Sequence, residues 1–201
     1  MYIDYALLLK DNVKSNSLEN YNILCNILID KWCTIYREMS GTKTNILQFS
    51  QHDFHFLFDY PSEYVERGKL QYKDVTDDRV VVVFGKSVPT NVKRDTTRMK
   101  GFLGGPLMDD QGNQSDKGHF MGHSLGGGMD VNLFPQNPEI NRGYSERGKV
   151  FRQMEKYCAK NAGTFCFSRP IYNTMTWKPA LIEYGILMPD QTFWVEMFEN
   201  D

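Results

Sequence analysis

The sequence predicts an α+β fold: an antiparallel sheet, helices packed against it and an N-terminal helical elaboration. Three observations predict it. Leu18, Tyr21, Leu24, Cys25, Leu28, Ile29, Trp32, Ile35, Tyr36 and Met39 recur at helical steps, which gathers them on one face of a long helix. Arg79-Val80-Val81-Val82-Val83-Phe84 is a run of β-branched and aromatic residues, as expected of a central strand buried on both faces. Thr164-Phe165-Cys166-Phe167, Ala180-Leu181-Ile182-Glu183-Tyr184 and Phe193-Trp194-Val195 are short apolar runs between polar turns, and read as further strands.

In chain order, Ser17 is a candidate N-cap for the long helix and Gly41 a candidate stop. Phe49, Phe54, Phe56, Phe58 and Tyr60 make the next stretch dense in aromatics, compatible with either helix or strand. His52 and His55 flank Asp53, but a histidine pair without further ligands reads as structural or surface, not as a metal site. Leu70-Gln71-Tyr72 reads as a strand. Lys86 to Asn113 is polar with Gly101, Gly104, Gly105 and Pro106, a long irregular excursion of the kind that often serves function. Gly118 before His119 favours a strand or tight turn, and Val150 to Lys160 a helix.

The 201 residues allow one sizeable core or a compact domain with an appendage. We divide them into an N-terminal helical segment, 1–61, and a main domain, 62–201. The net charge of -2 argues against a generally basic nucleic-acid binder. Positive charge is local, in Lys86, Lys93, Arg94, Arg98 and Lys100, and again in Arg142, Arg147, Lys149, Arg152 and Lys156. Cys25, Cys33, Cys158 and Cys166 lack the Cys-x-x-Cys spacing of a zinc site and read as reduced thiols, although Cys158 and Cys166 could pair in an oxidising compartment. The start of the chain carries no secretory pattern and no apolar run has the length of a membrane span, so a cytoplasmic location or delivery to a target cell is expected.

Chemistry concentrates between Asp116 and Glu155. His119, Asn132, Asn141 and Glu155 follow one another with glycines between, a kit for holding a hydrated divalent cation against a phosphate. A neutral imidazole suits a general base near pH 7, so His119 is the candidate for activating water. Amide and carboxylate oxygens from Asn132, Asn141 and Glu155 suit Mg²⁺, which keeps several waters and few protein ligands. Arg142 and Arg152 could neutralise phosphate charge. His119 and His123 have the i, i+4 spacing of a helical zinc site, but no glutamate follows His119 and three glycines come soon after, which argues against a zinc protease.

Asp116-Lys117-Gly118-His119, Asn132-Leu133-Phe134-Pro135-Gln136, Asn141-Arg142-Gly143 and Arg152-Gln153-Met154-Glu155 together resemble the DNA/RNA non-specific endonucleases of the ββα-metal, or His-Me finger, class. The form with His123 and a glycine run is similar to nuclease domains of bacterial polymorphic toxins. The resemblance spans about Lys69 to Leu187 and leaves residues before about Pro61 outside. It implies a ββα-metal core, with His119 as general base, Asn132 as a hydrogen-bonding organiser and Asn141 as direct ligand of Mg²⁺, for which Mn²⁺ can substitute. It further implies Glu155 acting through metal-bound water and cleavage of DNA and RNA to 5'-phosphates; beside it, Arg142 is a candidate catalytic residue, Lys117 and Arg152 are candidates for substrate contact, and His123 is open between a phosphate contact and a fold-stabilising hydrogen bond. An immunity protein is a partner by the same analogy. Lys117 stands where the family has arginine, which keeps the charge without the bidentate fork. The longer interval from Asn141 to Glu155 leads us to expect Tyr144 to Lys149 to loop out. The contrasting expectation is a non-catalytic protein with a nuclease-like core that binds a partner through the Leu18–Met39 helix.

Overall fold

A computed structural model describes residues 3–12, 18–40, 45–60, 79–90, 93, 95, 112–173 and 178–200. Ser17, Gly41, the expected strand at 70–72 and most of the 86–113 excursion lie outside the described residues.

The chain opens with two helices, α1 (Tyr5–Asn12) and α2 (Leu18–Ser40). Strands β1 (Asn45–Gln51), β2 (Phe54–Tyr60) and β3 (Arg79–Lys86) follow. The hairpin strands β4 (Asp116–His119) and β5 (Leu133–Gln136) come next. Then come helices α3 (Pro138–Arg142) and α4 (Glu146–Lys160), and the chain finishes with β6 (Phe165–Ile171), β7 (Leu181–Leu187) and β8 (Phe193–Glu199). The class is α+β with antiparallel pairing. One sheet runs β1-β2-β3-β6-β7-β8, and β4-β5 form a separate two-stranded ribbon.

β3 is central as its apolar run requires: Val80 to Phe84 are all buried, and the strand is paired on both sides. The aromatic stretch resolves as strands because Phe49 stands opposite Phe56 in the β1–β2 register, where alternation puts Phe54, Phe56 and Phe58 on a common face. Phe49 stacks on both Phe56 and Phe58. His55 is structural, hydrogen-bonded to Ser50 and packed on the Phe84 ring. Residues 45–60 therefore belong to the same sheet as β3 and β6, so the described residues of the 1–61 segment comprise two helices and two strands.

The sheet separates two cores. On one face Phe151, Met154 and Cys158 of α4 meet Val83, Ile182, Tyr184 and Ile186. On the other, α1 and α2 bring Tyr5, Leu24, Leu28, Trp32 and Ile35 against Val81, Val82, Phe84 and Phe167. The apolar stripe of α2 is thus spent on the chain's own sheet. All four cysteines are buried free thiols. Among the described residues no helix is long and apolar enough to cross a membrane.

Candidate functional site

The β4–β5 ribbon sets the site. Asp116 pairs with Gln136 and His119 with Leu133, so His119 ends its strand where the chain turns away, and it is buried. Phe120 stacks on Phe134 with centroids 4.3 Å apart, bracing the end of the ribbon from which the connecting segment leaves.

The segment just beyond His119 is clamped by Asn132, which is fully buried. Its Oδ1 accepts from the Met121 amide at 2.9 Å, and its Nδ2 donates to the carbonyls of Met121 and Gly128, both at 2.8 Å. The Phe120 amide donates to the Asn132 carbonyl. Asn132 thereby satisfies backbone groups that would otherwise be buried unpaired, a cost of about 1–3 kcal/mol each. His123 follows in a short 3-10 turn, His123–Leu125, and is half-buried.

Helix α3 begins at Asn137, whose side chain caps Glu139, with Pro138 in the first turn, a favoured start. It ends at Gly143 in the left-handed region, φ 74°, which glycine adopts at no steric cost. Asn141 lies in its last turn and donates from Nδ2 to Asp116 Oδ2 at 2.9 Å. Arg142 donates to both oxygens of Asp116, at 2.8 and 2.6 Å. Asp116 therefore ties α3 back to the strand that ends in His119. Partial burial pushes the Asp116 carboxyl upward, but hydrogen bonds from Arg142 and Asn141 outweigh it and hold the group below the usual carboxylate value.

Tyr144 to Lys149 do not loop out. Ser145 caps α4 by accepting from the Gly148 amide at 3.0 Å, and Glu146 to Lys149 form its first turn. The longer interval is absorbed as helix, which brings Glu155 inward with Phe151, Met154 and Cys158. Glu155 is buried, accepts from Arg152 at 2.7 Å, and places Oε1 so close to Gly122 that a Cβ on residue 122 would push the carboxylate aside. Arg152 also packs over Gly143, where an added Cβ would lie 2.9 Å from its Cγ.

The structure thus joins Asn141 and Arg142 to β4 through Asp116, sets Glu155 against the backbone three residues past His119, and gives Asn132 the clamping of that same backbone. Lys117 is half-buried on β4, next to the strand's end. Arg142 and Arg152 are each ion-paired to a carboxylate of their own chain. Sequence reasoning gave Asp116 no role of its own, because its partners stand 25 and 26 residues away. The signal available was its place at the head of the Asp-Lys-Gly-His run.

Among the described residues no group of three or more His, Cys, Asp or Glu converges on a metal position. Hard oxygen donors suit Mg²⁺ with mostly water for ligands, and Asn141 fits this: donation from Nδ2 to Asp116 leaves its carbonyl oxygen as the end turned away from that carboxylate. In comparisons with known proteins, no family model and no curated protein matches the chain.

Proposed function

We propose that the chain is a metal-dependent endonuclease that hydrolyses phosphodiester bonds of both DNA and RNA, using β4, β5 and α4 as a ββα-metal framework. The observation that carries the reading is the Glu155 carboxylate set against Gly122, just past His119, while Asp116 at the other end of the same strand orients Asn141. This is the ordered kit of a water-activating base, an amide oxygen and a carboxylate.

In this reading His119 takes a proton from the attacking water as its oxygen bonds to phosphorus, and the bond to the 3'-oxygen breaks; that oxygen takes a proton from solvent, leaving a 5'-phosphate and a 3'-hydroxyl. Asn141 would hold Mg²⁺ or Mn²⁺ directly and Glu155 through water, where the cation would supply charge stabilisation at the phosphate. Asp116 keeps the Asn141 amide in one orientation, and Asn132 keeps the segment after His119 in place. Arg142 and Arg152, whose side chains are about half exposed, exchange intramolecular carboxylates for substrate phosphate, aided by Lys117 and His123. Delivery as a toxin domain and an immunity protein over the basic rim are extensions of the family resemblance. Partner binding through α2 has no support from its apolar stripe, which faces the sheet.

The test is incubation of supercoiled DNA and a matched RNA with Mg²⁺, Mn²⁺ or EDTA, followed by end-labelling of the products. The reading expects cutting in both metals, none in EDTA, and labelling by polynucleotide kinase only after phosphatase treatment. Products that label directly, or RNA ends carrying cyclic phosphates, would overturn it.

A further inference from the structure

Tyr144 is 65% exposed, the barest of the large apolar side chains among the described residues. Exposed aromatics scattered singly are ordinary; the setting of this one is not. Gly143 before it closes α3 in the left-handed region, Ser145 after it caps α4, and its own amide donates to the Glu139 carbonyl at 3.0 Å. The junction between the two helices is tight as well, since a Cβ on Gly148 would stand 2.2 Å from that same carbonyl. The ring is therefore held out from a fixed stretch of backbone, and little freedom is left to be lost when a flat group packs on it.

Beside the ring lies the Arg142 guanidinium, 6.0 Å from its centroid, itself fixed by both oxygens of Asp116 and about half exposed. Asp116 first, and the Tyr144 hydroxyl after it, push the Arg142 pKa upward, which secures the cation. Asn141, the residue before it, is tied to the same carboxylate. A planar cation and an open aromatic face thus stand side by side at the end of α3 that carries Asn141. The two groups that match this pair are a phosphate, for which a guanidinium is a natural partner, and a nucleobase, whose π-face an aromatic side chain can cover whatever the sequence. In a duplex the base faces are taken up by their neighbours, so a base can lie on Tyr144 only when it is unpaired or turned out of the stack.

We propose that Tyr144 is a stacking platform for an unpaired nucleobase next to a phosphate at Arg142, which makes single-stranded nucleic acid the preferred substrate. The proposal rests on the endonuclease reading for the identity of its ligand, but its test needs no cutting. In EDTA, the full chain is titrated into an end-labelled single-stranded oligonucleotide and into the same strand paired with its complement, and fluorescence anisotropy gives the two affinities. Wild type is expected to favour the single strand. Tyr144→Ala, checked as folded by circular dichroism, should weaken single-strand binding about tenfold, the scale of one base–aromatic stack, and leave duplex binding unchanged. Tyr144→Phe, which keeps the ring, should bind as wild type does. Equal losses for strand and duplex, no loss in either, Tyr144→Phe as weak as Tyr144→Ala, or no binding by wild type would each overturn the proposal. The expected pattern in a protein that cuts neither DNA nor RNA with Mg²⁺ or Mn²⁺ would support the platform and refute the endonuclease reading, whereas cutting by a protein whose single-strand binding ignores Tyr144 would do the reverse.

Discussion

The two faces of the sheet handle charge in opposite ways. Beside α4 and the β4–β5 ribbon, the pairs Arg142–Asp116 and Arg152–Glu155 each combine a guanidinium about half exposed, 51% and 49%, with a more covered carboxylate. Beneath α1 and α2, Arg169 and Glu183 are 4% and 0% exposed, and Glu183 also accepts from Tyr5, which in turn accepts from Trp32. The half-exposed arginines of the first pairs face solvent while their carboxylates stay covered, so in the proposed reading these are the pairs that a phosphate would have to separate. A buried pair that loses one member leaves an uncompensated charge. The first face keeps its guanidiniums half open to solvent and the second seals them.

The sharpest way to break this contrast is Glu183→Ala, which strands Arg169 and should cost about 3–5 kcal/mol of stability in urea unfolding, while activity per folded molecule stays near wild type. The double change Arg169→Met with Glu183→Leu should recover most of the loss, since apolar replacements of buried pairs are often neutral. A Glu183→Ala protein as stable as wild type would erase the distinction. A smaller effect belongs to Arg152→Ala. It removes one charged hydrogen bond to the buried Glu155, a loss of about 1–3 kcal/mol, and thermal unfolding should register it together with reduced cutting.

The smallest effect concerns pH. Asp116 has a folded-state pKa below its ordinary value, so its interactions stabilise the fold above the unfolded carboxylate pKa and that contribution is lost as pH falls through the folded value. Asp116→Asn should therefore flatten stability against pH in the acid range below about pH 4 without altering the neutral-pH slope. Acid titration of urea unfolding followed by circular dichroism would show it, and identical acid slopes would remove the ion pair from the account.

Much of the fold was legible because burial writes periodicity into sequence. The α2 stripe and the apolar β3 run resolve as a sheet-covering helix and a central strand. The Phe54–Tyr60 stretch was ambiguous because alternating aromatics state their partner only once β1 is paired with it. The start of α4 was missed because Glu146, Arg147 and Lys149 carry no apolar signal, and the evidence for helix there was the Ser145 cap and the left-handed Gly143. At the site, order and residue type single out His119, Asn141 and Glu155 as candidates. The grip of Asp116 on Asn141 and Arg142 was not, since nothing local reports a contact made across 25 residues.

The most direct test of the central claim is the rate of Mg²⁺-dependent cleavage of supercoiled DNA by wild type, His119→Ala and Asn141→Ala, each first shown to be folded. The account predicts cutting by wild type that EDTA abolishes, a fall of about 10²- to 10⁴-fold in His119→Ala, and a comparable fall in Asn141→Ala that excess Mn²⁺ partly restores. Undiminished cutting by both folded variants, or no cutting by wild type with either metal, would contradict it.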